Sequence, residues 1–342
     1  MSILSDYENL KKECEDIENE KVRIALFGQP GAGKSSLINA IIGQDIAKVG
    51  QQVDTTMQAE TYEYNGLVFV DLPGYDTSNF PADKFFEQFK VEEFDLFLCV
   101  FSGKFHEEDT TFFRRLREQG KVCLFIRSKA DDLWQPGKSI EELKKDIIQD
   151  VQKQLAEQVE VFFTSQRTME GISELNERLF RSLEAVSAAK KERFARAFKA
   201  RTEEHLNLKK EICKKMVTRY SGLAAANAIN PIPGIDISLD IGIIYKLFSQ
   251  VRDTYGLEKG QIEKLAPFLP VANNVLKYAV NEGIAALLKQ YAGKQMMRGI
   301  SKYVPIVGQG IAASMGFAMV KLAGNAYVEE CHKLAMEIFS SK

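Results

Sequence analysis

The stretch VRIALFGQPGAGKSSLINAIIG, residues 22–43, decides the fold of the first half of the chain. It runs from an apolar, β-branched segment through a glycine-rich turn into residues that favour a helix. The turn has the spacing G-x-x-x-x-G-K-S, which cradles phosphates when a strand precedes it and a helix follows. Gly28, Gly31 and Gly33 let backbone N–H groups face a β-phosphate, and the helix N-terminus adds partial positive charge. The sequence therefore predicts a nucleotide phosphate site.

Polar side chains around this turn predict a metal ion as well. Lys34 should reach the β- and γ-phosphates, Ser35 should ligate Mg²⁺, and Ser36 joins them as a nucleotide contact. Asp71 ends the apolar strand LVFVD, where its carboxylate can hold Mg²⁺ through a water molecule. Further along the same D-L-P-G turn, the N–H of Gly74 can meet the γ-phosphate. We therefore expect a nucleoside triphosphate bound together with Mg²⁺.

A later motif indicates which base is bound. Ser128-Lys129-Ala130-Asp131 follows the strand VCLFIR and matches the [NTS]-K-x-D element that reads guanine. The Asp131 carboxylate can accept from guanine N1–H and the 2-amino group, whereas adenine presents an acceptor at N1. Lys129 would lie along the base plane, and Ser165 in FFTSQRT can supply a backbone contact to the guanine carbonyl. Alone, SKADD is typical of a solvated turn; after the two preceding motifs it predicts GTP and GDP as ligands.

Strand-like and helix-like segments alternate up to about residue 185, which is typical of an α/β fold with a mostly parallel sheet. The dipeptide Asn65-Gly66 is a strong hairpin signal, so one antiparallel edge strand is expected. Six strands are predicted, at residues 23–27, 58–64, 67–71, 95–101, 122–127 and 161–164. Helices are predicted between the later strands and after the last, at residues 81–93, 107–119, 139–157 and 172–183.

A second, helical domain is predicted beyond residue 185, where strand signals nearly vanish. Residues 190–215 have the composition and spacing of one long amphipathic helix. We expect residues 1–20 to form a helical segment that packs with this C-terminal domain. The predicted organisation is thus an α/β nucleotide-binding domain at residues 21–185 and an all-helical domain built from residues 186–342 with the N-terminal segment.

The order of the motifs resembles a Ras-like GTPase domain, and longer runs narrow the resemblance. The segments VDTTMQAETYEYNGLVFVDLPGYDTSNFP and FDLFLCVFSGKFHEEDTTFFRRLREQGKVCLFIRSKADD are similar to the immunity-related GTPase family. The helical runs NPIPGIDISLDIGIIYKLFSQVRDTYGLEKGQIEKLA and VPIVGQGIAASMGFAMVKLAG resemble that family's C-terminal region. The resemblance covers most of the chain, and Lys34 places it beside the subgroup with lysine in the phosphate loop.

This resemblance implies a dynamin-like GTPase that binds GTP or GDP with Mg²⁺. It also implies a protein that dimerises through its nucleotide faces, assembles further and associates with membranes. By the same resemblance, Asp54 stands where the family carries an activating glutamate, and a turn-capping role for Asp54 is the alternative.

The hydrolytic residues are less clear from the sequence than the binding residues. In the Ras pattern, a glutamine after D-x-x-G orients the attacking water, and this chain has Tyr75 there. A phenol with an ordinary pKa of about 10 is a poor base, so slow hydrolysis by the monomer is expected. The missing group could come from a second subunit or from the segment Asp54-Thr55-Thr56. Thr56 is our predicted Mg²⁺ or γ-phosphate ligand, and Thr55 is equally well placed.

Composition limits the partners and the compartment. A net charge of −2 over 342 residues gives no general attraction to nucleic acid, so no nucleic-acid partner is expected. Five scattered cysteines without a CxxC pair favour the reducing cytoplasm. The first residues lack an apolar signal segment, and Ser2 takes the place of a myristoylated glycine.

Two features bear on membranes. Residues 186–220, here called the basic stretch, hold eleven Lys or Arg against four Glu, a net of +7. Such a stretch could dock peripherally on anionic lipid, although a solvated helix is the more common explanation. Residues 223–248 and 304–323 are apolar, and we interpret them as closely packed helices rather than as membrane spans. The first run contains Asp236 and Asp240, and the second contains Gln309 and several glycines.

Two functions remain open at this point. The first is an assembling GTPase whose turnover rises with its own concentration. The second is a monomeric GTP/GDP switch that regulates a protein partner and turns over negligibly without help. The residue Tyr75 is compatible with both.

Overall fold

The computed structural model describes residues 12, 14–48, 59–73, 75, 81–105, 107–184, 186–227, 236–291 and 311–341. Residue contacts divide the chain into two compact units. One unit is Glu20–Phe198, and the other combines Met1–Asn19 with Lys199–Lys342. This division falls later in the chain than the domain boundary predicted after residue 185.

The first unit contains one six-stranded sheet, which confirms the predicted α/β fold class. Its strands are β1 Val22–Phe27, β2 Glu60–Tyr64, β3 Leu67–Asp71, β4 Leu96–Phe101, β5 Val122–Arg127 and β6 Val161–Phe163. Their order across the sheet is β2-β3-β1-β4-β5-β6. The pair β2–β3 is antiparallel and the other four pairs are parallel. Strands β3 and β4 are buried along their whole length, because helices cover both faces of such a sheet.

The β2–β3 hairpin forms where the sequence predicts it. Asn65 and Gly66 have φ values of 45° and 80°, the left-handed conformations that a two-residue type I′ turn requires. This turn sets the register of the pair, so that Tyr64 lies opposite Leu67 and, at the far end, Glu60 lies opposite Asp71. The hairpin therefore brings Glu60 to the edge of the sheet where the predicted metal ligand Asp71 stands.

Six helices accompany the sheet in the described part of this unit. They are α1 Lys34–Ile42, α2 Ala82–Gln88, α3 Glu107–Glu118, α4 Ile140–Leu155, α5 Ile172–Glu184 and α6 Ala188–Ala197. The predictions for α3, α4 and α5 are confirmed with small shifts at the ends. The single helix predicted at residues 81–93 is wrong: Lys90 adopts φ 48°, which ends α2 and starts a separate 3-10 turn at Val91–Glu93.

The second unit is helical. Its helices are α7 Glu203–Asn227, α8 Asp236–Tyr255, α9 Lys259–Leu265, α10 Pro270–Lys277, α11 Asn281–Tyr291 and α12 Ile311–Ser340. The long helices α7 and α12 pack along each other, and α8 contacts both. Residues 14–19 are also helical, and the carboxylate of Glu18 accepts hydrogen bonds from Tyr220, Lys246 and Gln250 of this unit.

The one long helix predicted at residues 190–215 is also wrong. Phe198 leaves α6 in an extended conformation with ψ 152°, and its buried ring stacks on Phe194 with centroids 5.5 Å apart. Thr202 then accepts a hydrogen bond from the N–H of His205 through its hydroxyl, at 3.1 Å, in the turn before α7. The break lets α6 pack against α5, β1 and β3 of the first unit. Tertiary burial of aromatic side chains thus overrides a continuous helical pattern.

The basic stretch is divided between two helices. Its residues are divided between α6 in one unit and α7 in the other. Lys190 lies 2.7 Å from the carboxylate of Asp95, and Lys209 is only 2% exposed. Of the eleven basic residues of the stretch, all of which the structure describes, Lys199 and Lys215 are exposed and the others are buried or half-buried. The lysines are largely used for internal contacts.

No helix among the described residues combines the length and apolar character that crossing a membrane requires. The apolar run at residues 223–248 lies in α7 and α8, and its residues 228–235 are outside the described part. The run at residues 304–323 begins outside the described residues and continues into α12.

Candidate nucleotide site

The phosphate loop, residues 28–35, joins β1 to α1 in the predicted manner. Gly33 adopts φ 89° and leads directly into α1, whose first residue is Lys34. Gly28 has φ 122°, and a Cβ atom there would lie 2.0 Å from the carbonyl oxygen of Val100 on β4. The turn is closed by a hydrogen bond of 3.2 Å from the N–H of Ala32 to the carbonyl of Gln29. Position 28 therefore requires glycine for two reasons: its positive φ, and the close approach of the Val100 carbonyl oxygen.

The Lys34 side chain folds back across this loop. Its ammonium donates to the carbonyl oxygens of Gly28 at 3.0 Å and Gln29 at 3.2 Å, and the residue is 8% exposed. The same nitrogen lies 3.5 Å from Asp71 Oδ1. A buried positive charge thus stands over the loop, where phosphate oxygens of a nucleotide would be neutralised.

The carboxylate of Asp71 is buried at this end of the site. The residue is 8% exposed, and within the described part of the chain its Oδ1 has no hydrogen-bond partner in addition to the Lys34 ion pair. Burial raises the pKa of Asp71 to about 6; the Lys34 charge opposes this rise and the nearby Glu60 carboxylate adds to it. A buried carboxylate oxygen with unused lone pairs suits a hard divalent cation such as Mg²⁺. The Ser35 hydroxyl belongs to the neighbouring phosphate loop. Asp71 and Ser35 would hold such an ion.

Two residues of β2 reach this end of the site, and the sequence analysis missed both. The hydroxyl of Tyr62 donates a hydrogen bond to the Glu60 carboxylate and also bonds to the Ser35 hydroxyl. Burial and the neighbouring Glu60 carboxylate raise the pKa of Tyr62 to about 12. The two-residue turn predicted at Asn65-Gly66 could have identified them, since that register places Glu60 opposite Asp71 and Tyr62 on the same face.

The loop predicted to read guanine, residues 128–132 and here called the guanine-reading loop, is braced against the phosphate loop. Ser128 is fully buried, and its hydroxyl bonds to the carbonyl of Ala32 and lies 3.2 Å from that of Phe101 at the end of β4. The N–H of Ala130 donates to the carbonyl of Thr164 at 3.0 Å, which links this loop to the segment after β6. A serine with these bonds can therefore hold the two nucleotide loops together.

Asp131 stands in this loop with two hydrogen-bonding neighbours from the segment after β6. The Ser165 hydroxyl bonds to its carboxylate and is the main reason that the pKa of Asp131 is lowered, with a smaller contribution from Arg167. Arg167 donates to Oδ2 of Asp131 through Nε at 2.6 Å. Lys129 next to it is exposed with φ 53°. Arg167 was missed from the sequence, because nothing in TSQRT distinguishes its arginine from a solvated one.

The structure thus assembles two groups of predicted residues. Lys34, Ser35 and Asp71 meet at the phosphate end, and Ser36 is half-buried in the first turn of α1. The guanine end is formed by residues 129, 131 and 165. The predicted residues Asp54, Thr55, Thr56 and Gly74 lie outside the described residues.

Tyr75, which occupies the position of the Ras glutamine, belongs to an aromatic cluster. The residue is 6% exposed, and its ring centroid lies 5.2 Å from that of Phe85 and 4.9 Å from that of Phe112. Its hydroxyl accepts a hydrogen bond of 3.0 Å from Arg115. The side chain is therefore part of the core of the first unit rather than a group available to position water.

Comparison with known proteins agrees with this geometry. A family model described as Interferon-inducible GTPase (IIGP) matches residues 2–335. Similar proteins include the mouse Interferon-gamma-inducible GTPase 10, 23% identical over 96% of this chain and 83% of the relative. The mouse T-cell-specific guanine nucleotide triphosphate-binding protein 2 is 24% identical over 97% of this chain and 85% of its own length.

Solved structures with low similarity include Era bound to MgGDPNP and ribosomal RNA nucleotides, with a TM-score of 0.37 and 17% identity over 60% of this chain and 68% of that chain. A probable GTP-binding protein engB gives a TM-score of 0.36 and 17% identity over 48% of this chain and 100% of that chain. The family match spans nearly the whole sequence, and the phosphate loop, Asp71 and the guanine-reading loop are all present. The chain belongs to the interferon-inducible GTPase family, and it is a GTPase.

Proposed function

We propose that this GTPase hydrolyses GTP slowly as a monomer and is activated when two copies meet through their nucleotide faces. The observation that carries the proposal is the burial of Tyr75, whose hydroxyl is bonded to Arg115 inside the aromatic cluster. The side chain at the position of the water-orienting glutamine of Ras is thereby packed in the core and does not orient water at the nucleotide. Another residue must provide this group, from the segment Asp54-Thr55-Thr56 or from a second subunit.

In this proposal the binding residues have separate tasks. The N–H groups of the phosphate loop and Lys34 neutralise the β- and γ-phosphates, while Asp131, Lys129 and Ser165 read guanine. Asp71 and Ser35 would hold Mg²⁺, with Thr56 or Thr55 as a further ligand, and the ion would supply positive charge to the phosphate oxygens.

Exposed apolar side chains beside the guanine end support contact with a second copy. Trp134, shortly after Asp131, is 80% exposed, and Met169, in the segment after β6, is 43% exposed. A largely exposed tryptophan is a frequent anchor of protein interfaces. Because the family resemblance also implies dimerisation through nucleotide faces, we assign Trp134 to that interface.

The first experiment measures GTP turnover per subunit across a wide range of protein concentration. We expect the rate to rise with concentration for GTP, to be absent for ATP, and to be lost in Lys34→Ala. A flat rate near zero with intact GTP binding would exclude activation by self-association. It would favour the second function, a monomeric switch that waits for an external activator.

A pair of variants tests the interface. Trp134→Ser should reduce the rise of turnover with concentration while leaving the dilute rate unchanged. Phe268→Ser is the matched control, since Phe268 is an equally exposed aromatic residue, at 80%, in the helical unit. Equal effects of both variants on the concentration dependence would argue against a role of Trp134 at the nucleotide face.

We also propose a cytoplasmic location with peripheral membrane attachment. The five cysteines all lie among the described residues and form no disulfide with one another, which is usual for a reducing compartment. The membrane attachment rests on the family resemblance, and flotation with anionic vesicles in the presence of GTP or GDP tests it. Recovery of the protein only in the unbound fraction would remove this part of the proposal.

A further inference from the structure

The contact between Arg167 and Asp131 occupies the atom that guanine recognition needs. Arg167 Nε lies 2.6 Å and Nη2 2.5 Å from the same carboxylate oxygen, Oδ2 of Asp131. The Arg167 side chain is 72% exposed, whereas the Asp131 side chain is 13% exposed. An arginine at the surface therefore covers the carboxylate of the guanine-reading loop.

The hydrogen-bonding capacity of this carboxylate is limited. Two oxygens offer about four lone-pair sites. Arg167 takes two of them on Oδ2, and the Ser165 hydroxyl and the backbone N–H of Asp131 itself also bond to this carboxylate. Guanine presents two donors to the reading carboxylate, N1–H and the 2-amino group, which require one site on each oxygen. Guanine cannot make both bonds while Arg167 keeps both of its own.

We propose that Arg167 is a positioning residue that competes with the guanine 2-amino group for Oδ2 of Asp131. In the absence of a base it holds the carboxylate oriented, and it yields this oxygen when guanine enters. This inference rests on the proposed guanine-reading role of Asp131.

A second acceptor is already close to the arginine. Asp132 Oδ1 lies 3.7 Å from Arg167 Nη2, and the Asp132 side chain is 64% exposed. A small movement of a long, solvent-exposed side chain transfers the guanidinium from one carboxylate to the next. Displacement of Arg167 from Asp131 therefore leaves no buried charge unpaired. Its free-energy cost is small, so guanine can displace the arginine.

The competition has a chemical signature. Hypoxanthine has the N1–H of guanine and lacks the 2-amino group, so it makes no demand on the Oδ2 atom that Arg167 holds. The Ser165 and backbone bonds to the carboxylate affect the N1–H of both bases equally. The arginine should therefore reduce the affinity for guanine nucleotides and leave that for hypoxanthine nucleotides nearly unchanged. Arg167 thereby lowers the ratio of the affinity for guanine nucleotides to the affinity for hypoxanthine nucleotides.

The experiment measures the affinities of the full chain for GDP and for inosine diphosphate, with Mg²⁺, by titration calorimetry. Arg167→Met should tighten GDP binding about two- to fivefold, the range expected for an exposed ion pair. The affinity for inosine diphosphate should stay the same, so the ratio of the two affinities rises by that factor. Arg178→Met is the matched control, because Arg178 pairs at 3.5 Å with the Glu160 carboxylate on the same unit and is also exposed.

A second arm needs no variant. High ionic strength weakens the exposed Arg167–Asp131 pair, and it weakens the phosphate contacts of both nucleotides equally. The GDP to inosine diphosphate affinity ratio of the unaltered protein should therefore rise with salt, and the rise should be absent in Arg167→Met.

The outcomes are distinguishable. If Arg167→Met binds both nucleotides more weakly by the same factor, Arg167 only holds Asp131 in place. If neither affinity changes, the ion pair has no effect on binding. Either result overturns the inference. If the unaltered protein binds neither nucleotide, the proposed guanine site itself fails.

Discussion

At the scale of the residue, Tyr75 shows how a motif position can change its task. It follows D-L-P-G, where a catalytic glutamine stands in the Ras pattern, yet its ring is packed against Phe85 and Phe112. Its one polar atom is satisfied by Arg115. The residue therefore contributes to stability through burial and through one hydrogen bond.

We expect Tyr75→Gln to destabilise the first unit by about 3 kcal/mol, since it removes a buried aromatic ring. Tyr75→Phe keeps the ring and removes only the acceptor for Arg115, so it should cost about 1 kcal/mol. Thermal unfolding of both variants checks this ranking. Faster GTP turnover by dilute Tyr75→Gln, with stability retained, would contradict the structural role.

The residue scale also marks the limit of what could be predicted of the site. Lys34, Ser35, Asp71 and Asp131 could be predicted because each belongs to a short local motif. Tyr62, Glu60 and Arg167 were not, since each acts through a partner that is distant in the sequence. The Tyr62 contact was derivable from the hairpin register; nothing in the sequence indicated that Arg167 would meet Asp131.

At the scale of the element, the phosphate loop depends on two glycines for different reasons. Gly28 has φ 122° and faces the Val100 carbonyl at a distance that no Cβ tolerates. Gly31 has φ 75°, and a Cβ there would meet no atom within 4 Å. The first position is constrained by packing between β1 and β4, and the second only by backbone conformation.

Gly28→Ala should therefore cost about 3 kcal/mol or more, because the loop or β4 must shift. Gly31→Ala should cost about 1 kcal/mol, the penalty of a left-handed conformation with a side chain. Chemical denaturation in the absence of nucleotide measures both. Equal losses of stability would mean that the contact with Val100 does not control the loop.

Helices show where local patterns are insufficient. The 190–215 pattern is continuous by periodicity, yet the chain forms α6 and α7 with a break between them. Stacking of Phe198 on Phe194 and the Thr202 hydroxyl bond stabilise that break. The periodicity of a sequence indicates which face of a helix is apolar. It does not indicate which of the two units that face packs against.

At the scale of the whole molecule, the helical unit combines two distant parts of the chain. Glu18 accepts hydrogen bonds from the Tyr220 hydroxyl at 2.9 Å, from Lys246 at 2.6 Å and from Gln250 at 2.8 Å. Burial raises its pKa, but the hydrogen bonds of these three donors outweigh burial, so the net pKa is lowered. The ionised carboxylate thus fastens the N-terminal helical residues to α7 and α8.

Glu18→Gln should destabilise the helical unit by about 1–2 kcal/mol at pH 7, since a carboxylate with charged and neutral donors is lost. Because the folded-state pKa lies below the unfolded value, this contribution is present above about pH 4.5 and is lost as the pH falls through the folded-state pKa. Unfolding at pH 7 and at acid pH, compared with Glu329→Gln, measures it. Glu329 forms one exposed ion pair with Lys210, at 2.6 Å, so its variant should lose less than 1 kcal/mol.

By itself, the sequence determined the order of strands and helices in the first unit, the hairpin and the phosphate loop. These features follow from turn chemistry and apolar periodicity within short segments, where neighbouring residues restrict the backbone. Only the tertiary structure decided that Tyr75 is a core residue, that the basic stretch is divided between two units, and that Arg167 covers Asp131. Those outcomes depend on which side chains meet across the folded chain, and burial and charge pairing at such contacts are properties of the packed molecule rather than of any short segment.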